Sequence, residues 1–201
     1  MRNPEATKER ILRQSGQLFN TQGYKATSLS DITKATGYTK GAIYRHFNSK
    51  DELEIETLSH LSGLMFDQLR EKIKEASDAP GKINSILTFF ETYISKPPVK
   101  GGCPLLNVAI EVDDAHPALR KRAVALLDVL RDSIKTILTN GIRYGQIEKD
   151  IDLEFHATMI IGGLEGAIMM SKLRGSDEDI IRMTSHLKMQ LEKITVNNHG
   201  Q

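Results

Sequence analysis

The chain has 201 residues, 27 Lys/Arg against 26 Asp/Glu for a formal net charge of +1, and a single cysteine. That length suits one medium domain or a small head on a larger body, and a charge so near zero argues neither for nor against a polyanionic partner. One cysteine excludes an internal disulfide, and the longest apolar runs, such as Met159 to Leu164, are too short and Gly-interrupted to span a bilayer. The opening residues MRNPEATKER carry no apolar signal-peptide core, so a cytoplasmic protein with no membrane partner is expected.

In chain order the sequence reads as helices. Asn3 can cap the first, with Pro4 at its first position; Ile11, Leu12, Ser15, Leu18 and Phe19 form its inner face, and Gly23 ends it. Ser28 can cap the second helix, with Asp31 as capping-box partner, Leu29, Ile32 and Ala35 as the apolar stripe and Gly37 as the stop. Thr39 can cap a third, with Ile43 and Phe47 inward and Lys40, Gly41, Tyr44, Arg45 and His46 toward solvent. Ser49 and Glu52 then form a box opening a long helix from Lys50 to about Ala76, with Leu53, Leu58, Leu61, Leu64, Met65, Leu69 and Ile73 apolar.

SDAPGK breaks that helix, and the next runs from about Gly81 to Ser95 with Ile83, Leu87, Phe90 and Ile94 on one stripe. KPPVKGG is a loop, Cys103 and Pro104 open a short helix over Leu105 to Val112, and Asp113 to Pro117 is a break supplying the next cap. A long helix covers roughly Ala118 to Tyr144, with Leu119, Leu126, Leu130, Ile134, Ile137 and Leu138 inward. Asp152 caps another, stopping at Gly175. Ser176 and Asp179 suggest a box for the last, which ends near Val196. With no alternating strand period anywhere, the fold class is all-α.

Charge is unevenly spread. Residues 1–50 hold nine Lys/Arg against three acids (Glu5, Glu9 and Asp31), leaving 18 basic against 23 acidic residues elsewhere. A basic head on an acidic body is the asymmetry of a polyanion-binding module joined to something else. Within the head, two helices around a Gly-bearing turn, the second with a cationic outer face, make a helix-turn-helix pattern. The run GYKATSLSDITKATGYTKGAIYRHFNSKDEL resembles the DNA-binding domain of the tetracycline-repressor (TetR) family of bacterial transcription regulators. Gly23-Tyr24, Thr27-Ser28, Ile32, Gly37, Lys40-Gly41, Tyr44, His46-Phe47 and Lys50 to Leu53 carry the likeness. Thr33, Tyr38 and Thr39 depart from residues common in the family, although Thr39 keeps a capping hydroxyl.

The resemblance implies a helix-turn-helix domain over 1–50, a ligand-binding and dimerisation domain over 51–201, and a homodimer on a palindromic DNA operator that a small-molecule inducer releases. The DNA-binding set is then Thr27, Ser28, Thr39, Lys40, Gly41, Tyr44, Arg45, His46 and Lys50. Lys40 and Arg45 can reach base edges, Tyr44 a phosphate and a thymine methyl, and Thr27, Thr39, His46 and Lys50 phosphates. GGCPLLN, Gly101 to Asn107, resembles a Gly-Cys segment near the inducer pocket of some family members. The ligand set is Leu61, Met65, Phe90, Tyr93, Cys103 and Leu106, with Asn107, Ile110, Leu130, Glu165, Met169 and Lys172. At a helix start the Cys103 thiol would ionise more readily, suiting an electrophile or oxidant sensor, whereas a lone Cys is more often a small buried apolar residue.

The last helix places Ile180, Thr184, Leu187, Leu191 and Ile194 at four-and-three spacing, and its predecessor carries Gly162 and Gly166; the family resemblance implies a dimer interface there. The six histidines show no ligand spacing, so neither metal nor cofactor is expected. No catalytic residue is assigned. A rival enzyme would use Cys103 as nucleophile and His116 as base, but nothing in the sequence orients that His. A helix-turn-helix serving protein contacts alone fits poorly with its basic outer face.

Overall fold

A computed structural model describes residues 3–112 and 116–196. Among them lie nine helices: α1 (Pro4–Gln22), α2 (Leu29–Thr36), α3 (Lys40–Ile43), α4 (Lys50–Lys74), α5 (Ala79–Glu91), α6 (Pro104–Glu111), α7 (Pro117–Arg143), α8 (Leu153–Arg174) and α9 (Glu178–Ile194). Extended pairing among the described residues amounts to one isolated bridge, Ile147 with Thr195, so the chain is all-α. Of the break expected at Asp113 to Pro117, residues 113–115 lie outside the described residues; at its end the His116 ring accepts the Leu119 amide at 3.2 Å and so caps α7.

The chain divides into two compact units. The first takes the described residues up to Met65 together with Val99–Leu127, so α1 to α3 share it with the first part of α4, α6 and the first part of α7. Local chemistry fixes its helix ends. The Asn3 side chain accepts from the Glu5 and Ala6 amides, and Gly23 ends α1 at φ 94°. Ser28 and Asp31 form the reciprocal box of α2, and Gly37 closes it at φ 73°, where any other residue would be strained. The α2 stripe turns one position from expectation: Ala35 is exposed, and Thr36 is buried with its hydroxyl bonded to the Ile32 carbonyl at 2.8 Å. α4 opens on half of its expected box, since Ser49 accepts the Glu52 amide while the Glu52 carboxylate takes the amide of Asn48.

The second unit holds Phe66–Pro98 and the described residues from Asp128 onward. α5 begins earlier than expected because Asp78, accepting from the Gly81 amide, is its cap and Pro80 sits in its first turn. The expected Ser176–Asp179 box is replaced. Ser176 accepts the Glu178 amide, Asp179 pairs with Arg174, and Asp177 reaches out to the Ile94 and Ser95 amides. α9 packs on α8 and α5. Its seam of Ile180, Thr184, Leu187 and Leu191 is 0–6% exposed within a single chain, so these four residues are intrachain core and not the dimer face the sequence suggested. Gly163 faces this seam, since a Cβ there would lie 3.1 Å from Met183; Gly162 and Gly166 face outward with nothing within 4 Å.

Candidate nucleic-acid interface

The two-helix motif presents its second member as expected. α3 is a single turn continued by a tight turn through His46, and Ala42, Ile43 and Phe47 are buried beneath it. Burying those three aims Lys40, Gly41, Tyr44 and Arg45 at solvent, with His46 half-buried beside them. The Lys40 ammonium lies 5.8 Å from the Tyr44 ring centroid, and a Cβ on Gly41 would meet nothing within 4 Å. Thr39 caps the turn through the Ala42 amide at 3.2 Å. Beside α3 lies a concavity lined by Pro4, Thr7, Tyr38, Ala42, Arg45 and His46, bringing the first turn of α1 next to the α3 turn. Tyr38, with Arg10 stacked 5.6 Å from its ring, thus joins this surface, and so does Thr7; no periodicity or capping rule marks either from sequence.

Two of the expected DNA contacts, Thr27 and Lys50, have other partners, while the exposed Ser28 makes the cap expected of it. Thr27 is fully buried and its hydroxyl donates to the Gly23 carbonyl at 2.7 Å, which makes it a packing residue. The Ser28 hydroxyl donates to Asp31 at 2.6 Å, and that bond, with the Ser28 amide, holds the Asp31 carboxyl below its usual range. Lys50 donates to the Tyr24 carbonyl at 3.0 Å and pairs at 2.9 Å with Glu54, itself 3% exposed. Its charge therefore neutralises a buried carboxylate; the i,i+4 spacing permits that pair, but the sequence does not show its burial.

That carboxylate is the centre of a cluster. Glu54 also takes His116 Nε2 at 2.8 Å, with Asp51 3.8 Å from the same nitrogen. Ligand atoms of Asp51, Glu54 and His116 lie within 4.8 Å of one another, a spacing a cation would accept. The hydrogen bonds assign other work. His116 Nδ1 accepts the Leu119 amide, so in the neutral ring Nε2 carries the proton and donates it to Glu54, leaving no lone pair for a metal.

GGCPLLN turns out to clasp the end of α1. The Asn20 amide donates to the Lys100 and Gly102 carbonyls at 2.8 and 2.9 Å, and the Asn107 amide donates to Asn20 and to the Gly101 carbonyl at 2.8 to 3.1 Å. Gly101 has φ 103° and would place a Cβ 2.3 Å from the Asn20 carbonyl oxygen, so the close approach demands glycine. At the far end of α6, the Glu111 carboxylate accepts the Tyr24 and Lys25 amides at 2.7 and 3.1 Å. Tyr24 stacks on Phe19 at 4.8 Å, and burial, then the carboxylates of Glu54 and Glu111, push its phenol well above its ordinary range. Cys103 is 1% exposed inside this clasp.

The expected ligand set divides between the units. Leu61, Met65, Cys103, Leu106, Asn107 and Ile110 lie in the first, and Phe90, Tyr93, Leu130, Glu165, Met169 and Lys172 in the second. Leu61, Met65, Phe90, Tyr93, Cys103 and Leu130 are buried, and Leu106, Asn107 and Glu165 half-buried. Ile110, Met169 and Lys172 are exposed, Ile110 by 75%, so these three do not line an interior pocket. The second unit also contains an apolar cavity of about 120 Å³ with a floor of Ile83, Leu138, Ile160, Leu187 and Leu191, and it shares no residue with that set.

An all-helical chain with a capped helix-turn-helix, a cationic reading turn and a separate helical unit is a helix-turn-helix DNA-binding regulator. Residues 11–57 match the family described as bacterial regulatory proteins, tetR family, and residues 79–187 match the tetracyclin repressor-like C-terminal domain. The chain belongs to the TetR family of transcriptional regulators. It is 37% identical over 188 residues, 93% of its own length and 96% of the relative's, to the helix-turn-helix-type transcriptional regulator YxaF of Bacillus subtilis (strain 168). A TetR transcriptional regulator from Chloroflexus aurantiacus J-10-FL superposes with a TM-score of 0.92 at 35% identity, covering 97% of this chain and 98% of that one. The same fold, at a TM-score of 0.80 and 22% identity over 92% and 95% of the chains, occurs in the regulator CifR complexed with a 26-base-pair operator DNA. These relatives are regulators and not enzymes.

Proposed function

We propose that the protein is a dimeric, cytoplasmic, ligand-responsive repressor that leaves a palindromic operator when a small molecule occupies its body. In this reading residues 1–50 are the DNA-binding head and residues 51–201 the ligand-binding and dimerisation domain. The exposed face of Lys40, Gly41, Tyr44 and Arg45 over a fully buried Ile43 and Phe47 carries the DNA reading. Lys40 and Arg45 supply base-edge or phosphate donors, Tyr44 a phosphate hydroxyl, Thr39 and His46 flanking phosphate contacts, and bare Gly41 lets the backbone approach the groove.

A twofold pair of heads suits a palindrome, and a seam on α8 supports the pairing. Phe155, Met159, Gly162, Gly166, Met169 and Leu173 recur at four-and-three spacing. The four large side chains among them are 45–82% exposed, and both glycines face open space. An apolar heptad stripe left on the surface is the signature of helix pairing with a second copy. Met169, expected in the ligand pocket, belongs to this stripe.

The Gly-Cys segment supports transmission. By clasping α1 and the Tyr24 turn, α6 is bound into the same unit as the reading turn, and a ligand that favours another seating of α6 shifts the population of DNA-competent heads. Cys103, 1% exposed, is shielded from electrophiles, so the inducer is read as an ordinary non-covalent ligand. The same burial, with both nitrogens of His116 engaged, weighs against a Cys103–His116 enzyme. The test is selection of bound sequences from random DNA, followed by a compound screen for release. A selected palindrome supports the dimeric repressor, and the absence of any enriched sequence contradicts it.

A further inference from the structure

Tyr38 stands where the chain departs from the residues common in its family, and its surroundings give it a use. The residue is half-buried on the concavity beside α3, and the Arg10 guanidinium lies 5.6 Å from its ring centroid. Its backbone is held too, since the Tyr38 amide donates to the Thr36 hydroxyl at 3.2 Å. We infer that Tyr38 and Arg10 clamp a backbone phosphate of the DNA whose groove the α3 turn enters, and so fix the register in which that turn is presented. The inference rests on the DNA reading proposed above and adds to it two residues outside the α3 face.

Three observations point to a phosphate. The concavity presents the Tyr38 hydroxyl, the Arg45 guanidinium and the His46 imidazole, and no Asp or Glu lines it. An anion there meets attraction without an opposing carboxylate. Next, the donors are uncommitted. Among the described residues the Tyr38 hydroxyl and the Arg10 and Arg45 guanidiniums have no hydrogen-bond or ion-pair partner, whereas nearby Lys8 pairs with Glu56 at 2.6 Å and Lys50 with Glu54 at 2.9 Å. Stacking occupies the face of the Arg10 guanidinium and leaves its N–H edge free to donate, so one side chain can both orient the phenol and supply charge. A hydroxyl beside such a cation is a donor set suited to phosphate oxygens. The first-turn amides of α1 add nothing, because Asn3 already accepts those of Glu5 and Ala6. Last, Arg45 belongs both to this concavity and to the exposed face of α3, so an anion seated here lies beside the groove that α3 enters. A contact of this kind sets orientation and register and carries no base preference.

The test uses the full chain and the operator selected from random DNA, with affinity measured across a range of salt. Tyr38→Phe keeps the ring and its stack and removes only the hydroxyl. It is expected to unfold at the parent's temperature, to bind operator and random duplex roughly tenfold more weakly, and to leave the salt slope unchanged. Arg10→Ala removes a charge and should flatten the slope of log affinity against log salt by about one, which Arg10→Lys restores. Arg10→Gln keeps a planar group on the ring and reads the same loss of charge if the Ala variant fails to fold. All variants should select the same bases as the parent. Parent-like affinity in Tyr38→Phe, or a parent-like slope in folded Arg10→Ala or Arg10→Gln, makes the pair a brace between α1 and the turn; it overturns the inference and leaves the α3 reading standing. A changed base preference in Tyr38→Phe makes Tyr38 a base contact and overturns the clamp. A parent chain that enriches no sequence contradicts the DNA reading itself, and the inference with it.

Discussion

Lys50 shows how a residue's meaning changes once its neighbours are known. On sequence it is one more cation beside a DNA-reading helix, but its ammonium is committed to Glu54 and to the Tyr24 carbonyl. Lys50→Ala is therefore expected to lower the head's stability by about 1–3 kcal/mol, as a buried carboxylate loses a charged partner. The slope of log affinity against log salt should stay unchanged, because no phosphate contact is removed. Denaturant titration and salt-dependent binding on the same variant check both halves. His156 gives a second expectation. Its folded-state pKa is depressed by burial from the ordinary 6.5, so the unfolded chain binds the proton more readily than the folded one. The associated stability is present above pH 6.5 and is lost as the pH falls through the lower, folded value. His156→Gln should flatten that fall, measured by denaturant unfolding from pH 7.5 to 5 (about the His range).

Among the elements, α6 has a role that the sequence only half reveals. GGCPLLN advertises a turn and a helix start, yet Asn20, which it grips, and the Tyr24 turn, which Glu111 at the end of α6 holds, lie 80 to 87 residues earlier and carry no local mark. Glu111→Ala removes two charge-assisted acceptors from the Tyr24 and Lys25 amides. It is expected to cost about 1–3 kcal/mol of head stability and to weaken DNA binding, which thermal unfolding and fluorescence anisotropy report. Several helix ends are legible because one residue decides them: Asn3, Ser28, Gly37, Asp152 and Gly175 act as their chemistry requires, whereas Asp78, the cap of α5, is hidden in a stretch that reads only as a break. Ser176 and Asp179 fit a box equally well on paper, but Arg174 draws Asp179 away and Asp177 is spent on the Ile94 and Ser95 amides. Those are long-range choices. For the same reason the heptad in α9 was visible but its partner was not: periodicity reports that a face is covered, not by which chain. The heptad in α8, interrupted by two glycines, is the one left uncovered.

For the whole molecule, the proposed assembly and DNA reading use different residues and should be separable by substitution. Leu173→Glu, at a side chain 82% exposed, should turn the dimer into a folded monomer, whereas Leu187→Glu, at 6%, should unfold the second unit by burying an unpaired charge. Light scattering with circular dichroism distinguishes the two outcomes. The most direct test of the central claim, that the α3 turn reads DNA for a dimeric repressor, is binding of the selected operator by a Lys40→Ala, Tyr44→Ala double variant. Both side chains are exposed, so helix content and dimer mass should remain those of the parent. Operator affinity should fall by at least about 2 kcal/mol, and the salt slope should become shallower by about one for each phosphate left without its cation. An affinity equal to the parent's, in a variant shown to be folded and dimeric, would contradict it.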